Sequence, residues 1–253
     1  MQNRSHPPHR PEPKIFLSKK DIPPRERLIV ALDVDGPAEA RALVEKLGDS
    51  VVFYKLGLQM FMAGGYFEFV DELKRAGKKV FVDLKFFDVP ETVALAIRGL
   101  ARHEVEFATV HGNDEMLRRA CENRGDLKIL AVTVLTSLDR SDLEALGFKC
   151  TVEDLVLSRA RNALEIGCSG VISSGLEAEK LRAELGDRFL IVTPGIRPVD
   201  NKKEDDQKRT VSVEAAFKGG ADYVVVGRPI KNAPDSRAAA ERIQKTISEL
   251  FGR

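Results

Sequence analysis

Three charged residues within six stand at the end of an apolar run in FVDLKFFDVP, residues 81–90: Asp83, Lys85 and Asp88. Val80, Phe81 and Val82 just before them read as a buried strand. Side chains alternate faces along a strand, so Asp83 and Lys85 are expected to point the same way. A charge pair aimed into a dry core is costly unless each charge meets a partner. A lysine held between carboxylates keeps its proton. At an effective dielectric near 20, each contact of about 4 Å favours the ammonium by roughly 4 kcal/mol before desolvation. Such a lysine is a proton donor. Schiff-base chemistry needs the opposite, a desolvated or cation-flanked amine. Lys55, in VVFYKLG (51–57), can extend the row to Lys–Asp–Lys–Asp. The competing reading is a structural ion pair with a loop carboxylate.

Two further stretches suggest anion binding. In VVVGRPI (224–230), Gly227 lets backbone N–H groups approach an anion and Arg228 adds a forked donor. VTPGIRPVDNKKEDDQKRT (192–210) is a long polar loop with Pro194 and Gly195 at its base. It reads as a lid over a phosphate, with Arg197, Gln207 and Arg209 as candidate contacts and the charge run 202–206 as solvated surface. Of the four histidines, only His111 falls near this chemistry, and a hydrogen-bonding role suits it better than a catalytic one. No His/Asp/Glu cluster spells a metal site.

These residues need a scaffold, and the chain repeats one. From Leu28 onward, short β-branched runs end in polar or glycine residues and lead into amphipathic stretches. The runs are 28–34, 51–57, 78–86, 107–112, 128–135, 170–174, 189–195 and 223–228. They are almost continuously apolar, as parallel strands covered on both faces must be. Residues 37–48 read as a helix with Ala40, Leu43, Val44 and Leu47 on one face and Gly48 at its end. Residues 151–167 read as another, opened by Thr151 and Asp154 in capping-box spacing and closed by Gly167. Eight strand–helix alternations predict an α/β fold, a (β/α)8 TIM barrel, with an open doubly wound sheet as the alternative. A barrel gathers function at the C-terminal ends of its strands. Asp33, Lys55, Asp83 with Lys85, His111, Thr133 with Thr136, Ser173, and Gly227 with Arg228 all stand there.

Composition narrows the classes. The chain has 253 residues, 43% hydrophobic, and a net charge of +1, which gives no global field for nucleic acid or membrane. No apolar run is long enough to span a bilayer, and no secretory leader is apparent. Three cysteines, far apart in sequence, fit neither a metal motif nor a disulfide framework and suggest a reducing cytoplasm. Residues 1–27 differ from the rest: 7 Lys/Arg against 3 Asp/Glu and six of the twelve prolines. They read as a disordered or loosely docked basic arm whose removal through residue 24 leaves activity and stability unchanged. Residues 28–253 form the single barrel domain.

The motifs resemble, in order, those of the orotidine 5′-phosphate decarboxylase family. VDLKFFDVPETV is similar to its D-x-K-x-x-D-[IV]-x-x-T signature. ALDV with Asp33, YKLG with Lys55, AVTVLTS, TPGIRP…DQ and VVGRPI also match, from about residue 28 to near the C-terminus. Glu91 departs from the small polar residue found in many members. The resemblance implies decarboxylation of orotidine 5′-monophosphate to UMP, the last step of pyrimidine nucleotide synthesis, with no cofactor or metal. It further implies a homodimer in which Asp88 and Thr92 cross to the neighbouring site. Lys55, Asp83, Lys85 and Asp88 would form the charged array, with Lys85 protonating C6 and Asp83 beside the departing carboxylate. Asp33 and Lys55 would hold the ribose and Thr136 the pyrimidine edge. Pro194 would line the site, and Arg197, Gln207, Gly227 and Arg228 would bind phosphate. Mg²⁺-dependent sugar-phosphate decarboxylases and synthases share D-x-K-x-x-D but typically carry a carboxylate where this chain has Lys55. A non-catalytic phosphate-binding barrel is the other alternative.

Overall fold

The computed structural model describes residues 15–197 and 210–252. Eight parallel strands close on themselves in sequence order. They are β1 (Leu28–Ala31), β2 (Phe53–Gly57), β3 (Lys79–Phe86), β4 (Phe107–His111), β5 (Lys128–Val132), β6 (Gly170–Ile172), β7 (Leu190–Thr193) and β8 (Tyr223–Val226). The pairings Leu28↔Val224, Ile29↔Val225 and Val30↔Val226 join β1 to β8, so the sheet is a barrel and has no open edge. Helices α1 (Pro37–Leu47), α2 (Leu58–Met62), α3 (Tyr66–Arg75), α4 (Pro90–Ala101), α5 (Asp114–Glu122) and α6 (Arg140–Ala145) alternate with the first strands. The later ones are α7 (Val152–Ile166), α8 (Ala178–Leu185), α9 (Val213–Lys218), α10 (Arg228–Lys231) and α11 (Ser236–Phe251).

The near-continuous apolar strands serve two cores. Residues of one parity, among them Val30, Leu56, Val82, Val110 and Ile191, pack against the helices. The other parity fills the barrel with Ile29, Ala31, Phe53, Phe81, Phe107, Leu130, Val192, Tyr223 and Val225. Aromatic rings plug its lower part: Phe107 lies 5.2 Å from Phe53 and 5.1 Å from Tyr223, centroid to centroid. Two residues further along β2 and β3, the same inward parity delivers Lys55 and Asp83 in place of Phe53 and Phe81.

Helix ends follow local chemistry. α1 ends at Gly48, whose φ of 52° is one a glycine adopts without strain. The Asp154 N–H donates to the Thr151 hydroxyl at the start of α7 (3.1 Å), and Gly167 at its end has φ 98°.

Of the expected basic arm, residues 1–14 lie outside the described residues. Residues 15–27 are in contact with the barrel floor. The Phe16 N–H donates to the Lys218 carbonyl (2.8 Å). Ser18 donates to buried Asp222 (2.5 Å), and Lys20 (3.0 Å) and Arg182 (2.5 Å) pair with the same carboxylate. Arg27 is buried, with its guanidinium 3.8 Å over the Phe251 ring. Composition flagged this segment as unlike the barrel, yet a few specific anchors fasten it. Cys121 and Cys168, distant in sequence, bring their Sγ atoms to 3.6 Å as free thiols.

Candidate active site

β2 and β3 aim a row of charges into the barrel mouth. Asp83 lies between two ammoniums: Lys55 Nζ is 3.2 Å from its Oδ2 and Lys85 Nζ is 2.9 Å from its Oδ1. Lys55 also reaches Asp33 Oδ1 at 3.3 Å. Burial alone would raise the Asp83 carboxyl pKa. Lys55 and Lys85 outweigh that, with a hydrogen bond from Thr109, and pull it down to about 2. Burial likewise disfavours the Lys55 ammonium, but Asp83 and Asp33 overcome it and raise its pKa. Lys55 and Asp83 therefore hold each other in their charged forms. The side chains of Lys55 and Asp83 are each 11% exposed, whereas Lys85 is 34% exposed and faces the opening.

Strand β3 does not reach this point as a regular strand. Val82 pairs with Ala108 and Phe86 with Val110, so three β3 residues oppose Thr109 alone. Lys85 takes up the excess with φ 49°, a left-handed conformation unusual for a non-glycine residue.

The charges open into a cavity of about 360 Å³. Its lining includes nine of the expected residues: Asp33, Lys55, Asp83, Lys85, Thr136, Pro194, Arg197, Gly227 and Arg228. Around the rim, Arg228 follows β8, Asp33 follows β1, and Lys55 and Asp83 come from β2 and β3. The cavity thus offers arginines on one side and an alternating charge row on the other. A ligand that carries a strong anion and a second reacting group fits that division.

Other expected residues are not in the lining. Asp88 and Thr92 are exposed beyond the end of β3, and Asp88 accepts the Val89 N–H at 2.6 Å. Thr133 and Ser173 are buried on the opposite parity from Val132 and Ile172, which do line the cavity. His111 packs edge-on to Phe87, with centroids 5.1 Å apart. Burial, Arg159 and Lys85 push its pKa down, towards a neutral imidazole. Gln207 and Arg209 lie outside the described residues. Glu91, the departure from the resembled pattern, pairs with Arg119 on α5, away from the cavity.

Sequence reasoning missed Ser137, which lines the cavity, and Lys231, whose Nζ donates to the Asp33 carbonyl at 2.5 Å. It also missed Thr109, fully buried beneath the charge row. Strand parity could have found Thr109, which stands two residues beyond inward Phe107. Among the described residues no group of three or more His, Cys, Asp or Glu is arranged to hold a metal ion.

The sequence profile described as the Orotidine 5′-phosphate decarboxylase / HUMPS family matches residues 26–243. A protein of Methylococcus capsulatus named orotidine 5′-phosphate decarboxylase is 60% identical over 236 residues, 93% of this chain and 98% of its own length. One of the same name from Stenotrophomonas maltophilia is 50% identical, covering 93% and 99%. The crystal structure of orotidine 5′-phosphate decarboxylase from Lactobacillus acidophilus superposes with a TM-score of 0.78 at 36% identity, covering 88% of this chain and 99% of that one.

Proposed function

This chain belongs to the orotidine 5′-phosphate decarboxylase / HUMPS family, and on that premise we propose how its cavity works. The chain is a decarboxylase that converts orotidine 5′-monophosphate to UMP and CO₂ in pyrimidine nucleotide synthesis. The observation that carries this reading is Asp83 held between Lys55 and Lys85 at 3.2 and 2.9 Å, in a cavity that also contains Arg197 and Arg228. In the reaction the bond between C6 and the carboxylate breaks and its electron pair stays on C6. The Lys85 ammonium, already in place, stabilises that pair and passes a proton to C6. The amine left behind recovers its proton from solvent. Positive charge fixed where negative charge develops needs no reorganisation during the reaction. Asp83, ionised, stands beside the departing carboxylate.

Phosphate binds Arg228, Arg197 and the Gly227 backbone, with Gln207 as a further contact. This binding, remote from C6, provides energy that aligns the base. Asp33 and Lys55 hold the ribose, Thr136 the pyrimidine edge, and Pro194 packs against the ring. No metal or cofactor takes part in this scheme. Asp88 and Thr92 complete the site of a second copy in a homodimer. That assignment is supported by the apolar surface around them: Phe87, Val89 and Leu95 are 65%, 64% and 54% exposed. Small-molecule chemistry in the cytoplasm, with neither nucleic acid nor membrane as partner, completes the proposal. No helix among the described residues is long and apolar enough to cross a membrane.

The Mg²⁺-dependent alternative is disfavoured by Lys55. Its ammonium stands within 3.3 Å of both Asp33 and Asp83, where a hard cation would need their oxygens. The test is to mix purified protein with orotidine 5′-monophosphate in EDTA and follow substrate absorbance. Turnover in EDTA is expected. Turnover only on adding Mg²⁺ would refute the metal-free scheme, and none under either condition would refute decarboxylation of this nucleotide and favour the sugar-phosphate alternative.

A further inference from the structure

We infer that Thr109 is a positioning residue for the reaction: its hydroxyl locks Lys85 and Asp83 into the arrangement that proton transfer uses. This rests on the decarboxylase reading above. The register of β3 against β4 carries it. Between the pairs Val82↔Ala108 and Phe86↔Val110, Asp83, Leu84 and Lys85 face the single residue Thr109. A strand with excess residues leaves some backbone groups without a ladder partner. Here the Lys85 N–H is such a group, and it donates to Thr109 Oγ1 at 2.9 Å. The side chain of β4 thus replaces the missing backbone acceptor.

The same hydroxyl then donates to Asp83 Oδ1 at 2.9 Å. That oxygen also accepts from Lys85 Nζ, again at 2.9 Å. A closed circuit results, running from the Lys85 backbone through Thr109 and Asp83 to the Lys85 side chain. One buried hydroxyl holds both ends of the lysine. It fixes the backbone in its left-handed conformation (φ 49°) and fixes the carboxylate that orients the ammonium. Thr109 is 0% exposed, so no water substitutes without rearrangement.

The side-chain type matters. A hydroxyl has one donor and two acceptor sites, enough for both bonds at once. Valine has nearly the same shape but neither function, and would take from the Lys85 N–H its acceptor on β4. Serine keeps the hydroxyl and loses only a methyl group. A residue that merely fills space would rank valine above serine. A positioning residue ranks them the other way.

The test compares Thr109→Val and Thr109→Ser with the unaltered protein. The readouts are steady-state kinetics on orotidine 5′-monophosphate and hydrogen exchange at the Lys85 amide. For Thr109→Val, kcat should fall by about 100-fold, the size of effect that a 1 Å misplacement produces, while KM changes much less. Thr109→Ser should recover most of kcat. Exchange at Lys85 should be slow in the unaltered protein and the serine variant and faster by at least tenfold in the valine variant. A valine variant with kcat within about threefold of normal, or a serine variant as impaired as the valine one, would overturn the inference. If the valine variant does not fold, the unaltered protein still decides: rapid exchange at the Lys85 amide would overturn it. The exchange result does not depend on the substrate, so a wrong functional reading and a wrong role for Thr109 fail separately.

Discussion

The pairing of Lys55 with Asp83 makes a quantitative demand on stability. Their closest atoms are 3.2 Å apart and each side chain is 11% exposed. At an effective dielectric of 20 that separation corresponds to about 5 kcal/mol of gross attraction, most of it returned as desolvation. A net coupling of about 1–3 kcal/mol is the expected remainder. Asp83→Asn removes the anion between two ammoniums and should destabilise the fold by about 3 kcal/mol, near the low end for breaking a buried pair, because Lys55 keeps Asp33 and Lys85 can be hydrated. Lys55→Met should cost less, since Asp83 keeps Lys85 and Thr109. In the double variant the two losses should not add. Urea unfolding of all four proteins at neutral pH and equal concentration gives the coupling directly. Repeating it in about 1 M salt should leave most of the coupling in place, because a buried pair is poorly screened. Losses that add to within about 0.5 kcal/mol would refute that coupling.

Lys85→Ala should abolish turnover while the fold persists, with nucleotide binding weakened less than catalysis, as paired kinetic and UMP-binding measurements would register. Arg228→Ala should raise KM strongly by removing a charge-assisted contact worth roughly 1.5–3 kcal/mol, and the penalty should shrink on a substrate lacking phosphate; equal penalties would place Arg228 elsewhere. Mixed and re-associated Lys85→Ala and Asp88→Ala dimers should recover roughly a quarter of normal activity, because half the dimers are mixed and each has one intact site. Proven exchange without recovery would keep Asp88 within its own chain. Deleting residues 1–24 should lower the unfolding free energy relative to deleting residues 1–14 by about 1–3 kcal/mol, because Ser18 and Lys20 leave Asp222; equal midpoints would show that these contacts contribute nothing.

Much of the barrel was legible because its strands carry an unambiguous signal. Burial on both faces forces continuous apolar runs, and all eight emerged as strands. The same continuity hides which parity faces inward. Thr133 and Ser173 therefore read as rim residues although they are buried and outside the cavity lining, and Thr109 gives no signal until its parity is known. Asp83 and Lys85 were placed correctly by simple alternation, yet β3 is irregular between them. A register shift depends on the partner strand, which one run of residues cannot reveal. Closure, too, required the β1–β8 pairing. The contacts of residues 15–27 are not legible in composition for a different reason: proline and positive charge describe an average, whereas Ser18, Lys20 and Arg27 act one contact at a time.

The aromatic plug below the charge row has a consequence for traffic. With Phe53, Phe107 and Tyr223 packed tilted and edge-on across the barrel, the cavity is a cul-de-sac rather than a tunnel. Whatever enters leaves by the same doorway. In the proposed reaction, the CO₂ must pass the nucleotide that produced it or wait behind it. UMP must vacate the threshold before the next substrate can cross, so product and substrate compete for one passage and inhibition by UMP should be competitive.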